Sequence, residues 1–280
     1  MSNPNNPLKR HFRQPAIYLK LPSAGKFYPA DALDMPANSE LPVLPMTAVD
    51  EIIARTPDAL FNGSAVIEII KSCVPNIKDA WSIPAIDLNA ILVAVRLASY
   101  GHTMEISSTC PACGNVHEFE IDLRIVMDSL GQPDYDTPLA ISDMLIKFRP
   151  MSYHEANENN QKQFEDQKRI QSINTADIDN QQRIKMLGDS FRNITALTVH
   201  AISLGIENIV TPDGTATTTE FIEEFLLNCE KAVFEKIRDH AIKLRAYAEI
   251  KPLNIKCVNC EHEYLQEFSL DMSNFFVTNS

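Results

Sequence analysis

The chain has 280 residues, 45% of them hydrophobic, enough to bury one large or two modest cores. A formal charge of −12 disfavours binding to phosphate backbones, because the only clustered cations are Lys9, Arg10, His11 and Arg13. No apolar run reaches the roughly 20 residues of a membrane-spanning helix: Ala90-Ile-Leu-Val-Ala-Val95 ends at Arg96, and the chain reads as soluble, with no signal peptide expected before it.

Residues 1–46 hold much of the proline and show no sustained helical period, so they read as an extended arm with a short strand at Ala16–Lys20 that lies on another surface. Within it, Leu21-Pro-Ser-Ala-Gly-Lys-Phe-Tyr-Pro29 sets a turn ahead of two adjacent aromatics, which a free tail does not need; Leu21, Pro22, Phe27 and Tyr28 are candidate partner-binding residues. The Ser-Ala-Gly-Lys is not a phosphate loop, since it lacks the upstream glycine and the hydroxyl after the lysine.

Residues 47–101 read as helical. Thr47 with Asp50 three residues on predicts a capped helix from Val49 to Arg55. A second helix is expected near Ala65–Cys73. A third starts after Asp87, runs through Leu88, Ile91, Leu92, Val95 and Leu97, and stops at Gly101. A first cysteine hairpin occupies 102–127. A loop and a strand at Met144–Arg149 fill 128–150.

Residues 151–250 read as a second helical region. Ser152 and Glu155 form a capping box for a helix reaching about Ile173 that is polar nearly all round, either a solvated helix or an arm toward a partner. Asp177 is expected to cap the next helix, with Ile184, Leu187, Phe191, Ile194, Leu197 and Ile202 as its core face. A hairpin is predicted across Ile209–Ala216 around Pro212-Asp-Gly. A Thr217–Glu220 capping box then starts a helix over Phe221–Leu227, and a last helix covers Lys231–Tyr247. A second cysteine hairpin and a tail fill 251–280, where the aromatic pair Phe275-Phe276 needs a home pocket or a partner.

The strongest chemical signal is a repeated spacing. Cys110-Pro-Ala-Cys113 and Cys257-Val-Asn-Cys260 share the CxxC knuckle, each leading into a strand-like run. One such turn aims two thiolates at a single ion, and two turns close a tetrahedral four-cysteine shell, so a zinc ribbon with ligands Cys110, Cys113, Cys257 and Cys260 is the leading reading; iron in place of zinc stays open. Two separate sites, using His117 and His262, are the alternative, although each lacks a visible fourth ligand and each histidine reads more simply as a solvated hairpin residue. Redox pairs usually open helices in a βαβ setting, which these do not, and disulfides fit less well still. Four thiolates leave no open position, so the metal is read as structural.

No catalytic constellation emerges. The pairs Glu223-Glu224 and Asp177/Asp179 sit at helix starts, where the dipole favours anions. There is no HExxH, GxSxG or GxGxxG, and His200 and His240 read as helix-face residues. The fold class is therefore α+β, mainly helical, with a discontinuous four-cysteine module and an N-terminal arm.

Taken in order, Leu-Pro-Ser-Ala-Gly-Lys-Phe-Tyr at 21–28, Leu-Pro-Val-Leu-Pro-Met-Thr-Ala-Val-Asp-Glu at 41–51, Arg96 through Tyr100-Gly101 ahead of the CPxCG knuckle, and the terminal Leu-Asp-Met-Ser-Asn-Phe-Phe resemble the T4-type bacteriophage baseplate hub protein family. The resemblance implies a non-enzymatic component of a contractile-tail baseplate, at or near the hub, made in the host cytoplasm and resident in the virion. Its implied partners are other baseplate and tail proteins and further copies of itself, with neither membrane nor nucleic acid among them. A transient assembly factor and a zinc-ribbon nucleic-acid binder are the competing classes, the second opposed by the acidic charge.

Overall fold

The structure, a computed structural model, describes residues 6–56, 63–175 and 179–268. Two hydrophobic cores organise these α+β elements. The first is built on helices α1 (Ala48–Ala54), α2 (Ser64–Cys73) and α3 (Ala85–Tyr100). α3 runs through the middle of it: Ile91, Leu92, Val93, Ala94 and Val95 are all buried on consecutive positions, so this helix is covered all round rather than on one stripe.

The N-terminal segment closes this core instead of leaving it. Strand β1 (Ile17–Leu19) pairs antiparallel with β2 (Leu41–Val43), and Leu19, Leu21, Leu41 and Val43 are at most 3% exposed. Arg13 fastens the segment further. Its guanidinium donates to Pro45 O at 2.5 Å, to Ser72 O and Oγ at 2.7 and 2.8 Å, and to Asp50 Oδ2 at 3.3 Å. Asp50 in turn caps α1 through the box with Thr47 expected from the sequence. The reading of 1–46 as an arm laid on another surface is thus corrected for the part described here. Two three-residue strands are too short to show a period, and their partner surface is the chain's own helices.

The second core lies under a four-stranded antiparallel sheet, ordered β5 (Leu139–Ile141), β6 (Met144–Phe148), β7 (Ile206–Thr211) and β8 (Gly214–Ala216). Ile141, Ile146, Phe148, Ile206 and Ile209 point inward and meet Val199 and Ile202 of α6 (Asn180–Leu204), Ile222 and Leu226 of α7 (Thr219–Asn228), and Ile237 and Leu244 of α8 (Lys231–Ala246). The expected hairpin at 209–216 is the β7–β8 pair, and its preceding strand begins three residues earlier.

Helices α5 (Tyr153–Thr175) and α6 pack against each other over lengths of about 35 Å, at 1.5 Å per residue. The base of α5 is firmly tied to the first core: Tyr153 N–H donates to Ile83 O at 2.6 Å, and the Tyr153 ring stacks on Trp81 at 5.4 Å. The Ser152–Glu155 capping box is present, reinforced by a two-point Arg149–Glu155 ion pair. α6 departs from expectation in two ways. Its cap is Asp179, which accepts from the N–H groups of Gln181 and Gln182, while Asp177 lies outside the described residues. Its apolar stripe is not a core face throughout, since Ile184 is 72% and Phe191 60% exposed; only its last turns, with Val199 and Ile202, reach a core. The α7 start also differs: Thr218 is the cap residue and no side chain caps it, so the Thr217–Glu220 box does not form.

Candidate metal centre

Strands β3 (Thr103–Thr109) and β4 (Val116–Asp122) pair over seven registers, from Thr103↔Asp122 to Thr109↔Val116. The turn between them is the first knuckle. Cys110 N–H donates to Asn115 O and Gly114 N–H to Cys110 O, each at 2.9 Å, with Gly114 at φ 69°, a left-handed conformation that glycine adopts without strain. β4 runs directly into α4 (Leu123–Ser129), a helix the sequence reading did not separate; Asp122 caps it, and Leu123 and Val126 seat it on the first core.

Strands β9 (Leu253–Lys256) and β10 (Glu263–Gln266) repeat the plan. Cys257 N–H donates to His262 O at 2.8 Å and Glu261 N–H to Cys257 O at 2.9 Å. Here the left-handed position of Gly114 is taken by Glu261 at φ 59°, held beside Lys256 by an ion pair of 3.3 Å.

The two knuckles face each other. Cys110 Sγ lies 3.7 Å from Cys260 Sγ, Cys113 Sγ lies 3.7 Å from Cys257 Sγ, and all four sulfurs fall within 4.8 Å of one another. A tetrahedral ion with Zn–S arms of about 2.3 Å has sulfur–sulfur edges of about 3.8 Å, whereas a disulfide needs about 2.05 Å. The cluster therefore has the size of a four-thiolate shell, and the four cysteines are free thiols. Each knuckle gives one inner sulfur, on Cys110 and Cys257 at 1% exposure, and one outer sulfur, on the exposed Cys113 and Cys260.

The thiols are electrostatically linked. The N–H of Asn115 and the neighbouring sulfurs pull Cys113 down to about 6, while Cys260 is driven up to about 12, the His262 N–H that favours its thiolate being outweighed by desolvation and the other three sulfurs together. Four thiolates this close repel, so a dication is what lets all of them lose their protons.

Two further groups join the hairpins. Ser108 Oγ, 3% exposed with its residue, bonds Tyr264 OH at 2.8 Å and Gln266 Oε1 at 2.5 Å. His117 Nε2 sits 3.1 Å from Cys257 Sγ, as a hydrogen-bond partner of the sulfur and outside the converging ligand set. His117 is thus not the solvated residue expected of it. His262 stacks on Tyr264, with ring centres 6.2 Å apart. The two pairs form one cluster rather than two.

Elsewhere, Leu21 and Pro22 are buried in the chain's own core, Tyr28 OH donates to Asp87 at 2.9 Å, and Phe27, 36% exposed, meets Tyr135 edge-on. Of the four candidates on this segment, only Phe27 keeps a sizeable exposed surface. Phe275 and Phe276 lie outside the described residues. His200, Glu223 and Ser203 do come together beside an open charged cleft of about 460 Å³. The Ser203 hydroxyl donates to His200 O at 2.7 Å and to Glu223 at 3.2 Å and makes no bond to the imidazole, so the three do not form a serine–histidine–carboxylate relay. Asp87, Arg13 and Ser108 were not singled out as functional by the sequence, and His117 only as a ligand in the two-site alternative; a lone aspartate inside the apolar run of α3 was the one visible sign among the first three.

This combination defines a class: an α+β protein in which two distant hairpins bring four cysteines together, the one group of three or more side chains among the described residues that could hold a metal ion. A family model described as T4 bacteriophage base plate protein matches residues 17–277, and the chain belongs to that family. It is a bacteriophage baseplate protein, which places it in the virion tail among other tail and baseplate proteins. No curated protein and no solved structure matches it. Among the described residues no helix is long and apolar enough to cross a membrane.

Proposed function

We propose that the chain is a structural, non-enzymatic subunit at or near the hub of a contractile-tail baseplate, and that one zinc ion held by Cys110, Cys113, Cys257 and Cys260 locks its two distant hairpins together. The convergence of four sulfurs from segments almost 150 residues apart carries the metal reading. The ion's role is mechanical: it fixes the angle between two two-stranded hairpins that are too small to be stable alone. Closed coordination by four thiolates leaves no position for a reacting water. Placement at the hub rests on the resemblance of the ordered landmarks, with Phe27 and the segment of Phe275 and Phe276 as candidate contacts for neighbouring tail proteins.

Quantitative mass spectrometry of purified tails tests the placement. A resident subunit appears at a fixed ratio to the other baseplate proteins. Its absence from finished particles, with presence in assembly intermediates, would make the chain a departing assembly factor instead.

A further inference from the structure

Among the described residues, the α5–α6 pair leaves one surface of α6 uncovered. Arg183, Leu187, Ser190, Ile194 and Leu197 recur at four-three spacing, are buried or half-buried, and mark the face turned to α5. Beside that face, Ile184 and Phe191 stand one heptad apart at 72% and 60% exposure. Gly188 lies between them on the helix surface. A Cβ there would touch Arg192 Nη1 at 3.9 Å, so Gly188 is a low point between two large apolar side chains with the Arg192 guanidinium reaching beside it. Lys185 and Arg192 border it on the solvent side. Arg192 is ion-paired with Asp189 on the same surface, and Lys185 leaves the stripe with a net positive charge in a chain of net charge −12.

α7 carries the complement. Its inner face is filled by Ile222 and Leu226, and its outer face exposes Phe221 at 63% and Leu227 at 64%, with the exposed carboxylates of Glu220 and Glu224 between them. Large exposed apolar groups framed by charge are a mark of protein contact surfaces. The two surfaces cannot meet within one chain: Glu223 of α7 is held to His200, which lies about 18 Å along α6 from Gly188 at 1.5 Å per residue.

We propose that the α6 stripe of one copy docks against the outer face of α7 on a second copy, with Phe221 packing over Gly188 between Ile184 and Phe191 and Glu220 and Glu224 facing Lys185 and Arg192. The contact joins different patches, so repetition closes a pair or a ring according to the rotation between copies. It is independent of the metal site and goes beyond placement in the tail.

Sedimentation equilibrium on the purified full chain tests it, with Arg192→Glu, Glu224→Arg, the combination of both, and Ile184→Asp. All three positions are exposed, and circular dichroism checks that each variant keeps the fold. The wild type self-associates, and each single variant dissociates at least ~10-fold more readily, as expected for truncated or reversed contacts at an interface centre. The doubly reversed protein recovers to within about threefold of wild type, because the ion pair is restored with its sign exchanged. A wild type that stays monomeric at ~100 µM, weaker than most specific assemblies, overturns the proposal. So does a double variant no stronger than the singles.

Discussion

Replacing Asp87 by Asn tests how the 21–28 segment is held. Asp87 is fully buried in α3 and accepts three hydrogen bonds: from Ser23 N–H at 2.7 Å, Ser23 Oγ at 2.6 Å and Tyr28 OH at 2.9 Å. These bonds clamp a loop in which Ala24, Gly25 and Phe27 all have left-handed backbones, a conformation that costs non-glycine residues roughly 1–2 kcal/mol each. Burial raises Asp87 from its ordinary 3.8 to about 6, its three donors opposing the shift without cancelling it. Between these two pH values the folded protein binds more protons than the unfolded chain. The stability contributed by Asp87 is therefore fully present below 3.8 and is lost as pH rises through about 6. At about 1.4 kcal/mol per pH unit, the gap is worth about 3 kcal/mol. Urea unfolding of wild type and Asp87→Asn at pH 4, 5, 6 and 7 measures it, because the other carboxylates cancel in the difference. Wild type should gain on the variant by about 2 kcal/mol from pH 7 to pH 4, the remainder of the gap appearing only below 3.8. A flat difference, or one of opposite slope, would show that the donors keep Asp87 ionised throughout and would refute the reasoning.

Deleting residues 1–46 should unfold the first core, since it removes Leu19, Leu21, Leu41 and Val43 from the interior; a deletion protein with a cooperative transition of unchanged midpoint contradicts the packing. Arg13→Ala removes the cation beside the buried Asp50 carboxylate, which keeps its Thr47 and Ser72 donors, and takes a donor from three further acceptors, for a loss of roughly 3 kcal/mol in chemical denaturation; a loss below about 1 kcal/mol, typical of exposed pairs, would count against the anchor. Cys110→Ser and Cys257→Ser should reduce stability to a similar degree, because either opens the same shell, and clearly unequal losses argue for separate sites. His117→Phe removes the hydrogen bond to Cys257 while keeping all four thiols, and should weaken metal affinity by about 10–100-fold in a competitive chelator titration; unchanged affinity would make the contact incidental.

The cysteine cluster was legible because its signal is a spacing, and a CxxC knuckle dictates its own turn. The two matching sets of backbone bonds at Cys110–Asn115 and Cys257–His262 bear this out at the level of geometry. Helices with caps were legible for the same local reason, as at Thr47 and Ser152. What stayed hidden depends on partners far apart in sequence. Arg13 looked like part of a cationic tail because its acceptors are supplied by residues 45, 50 and 72. β1 and β2 are three residues long, so neither carries a period of its own. The stripe of Ile184 and Phe191 has the periodicity of a core face, yet periodicity reports only which residues share a side of the helix. It cannot say whether another part of the same chain covers them.

Metal analysis combined with thiol counting on the purified native protein tests the shared thiolate shell most directly. Cys113 and Cys260 are exposed to reagent, so an ion bound between the knuckles is what would slow their modification. The account predicts one zinc per chain, with both cysteines protected until a chelator removes the metal. A metal-free protein in which Cys113 and Cys260 react at once, at the rate of free thiols, would contradict it.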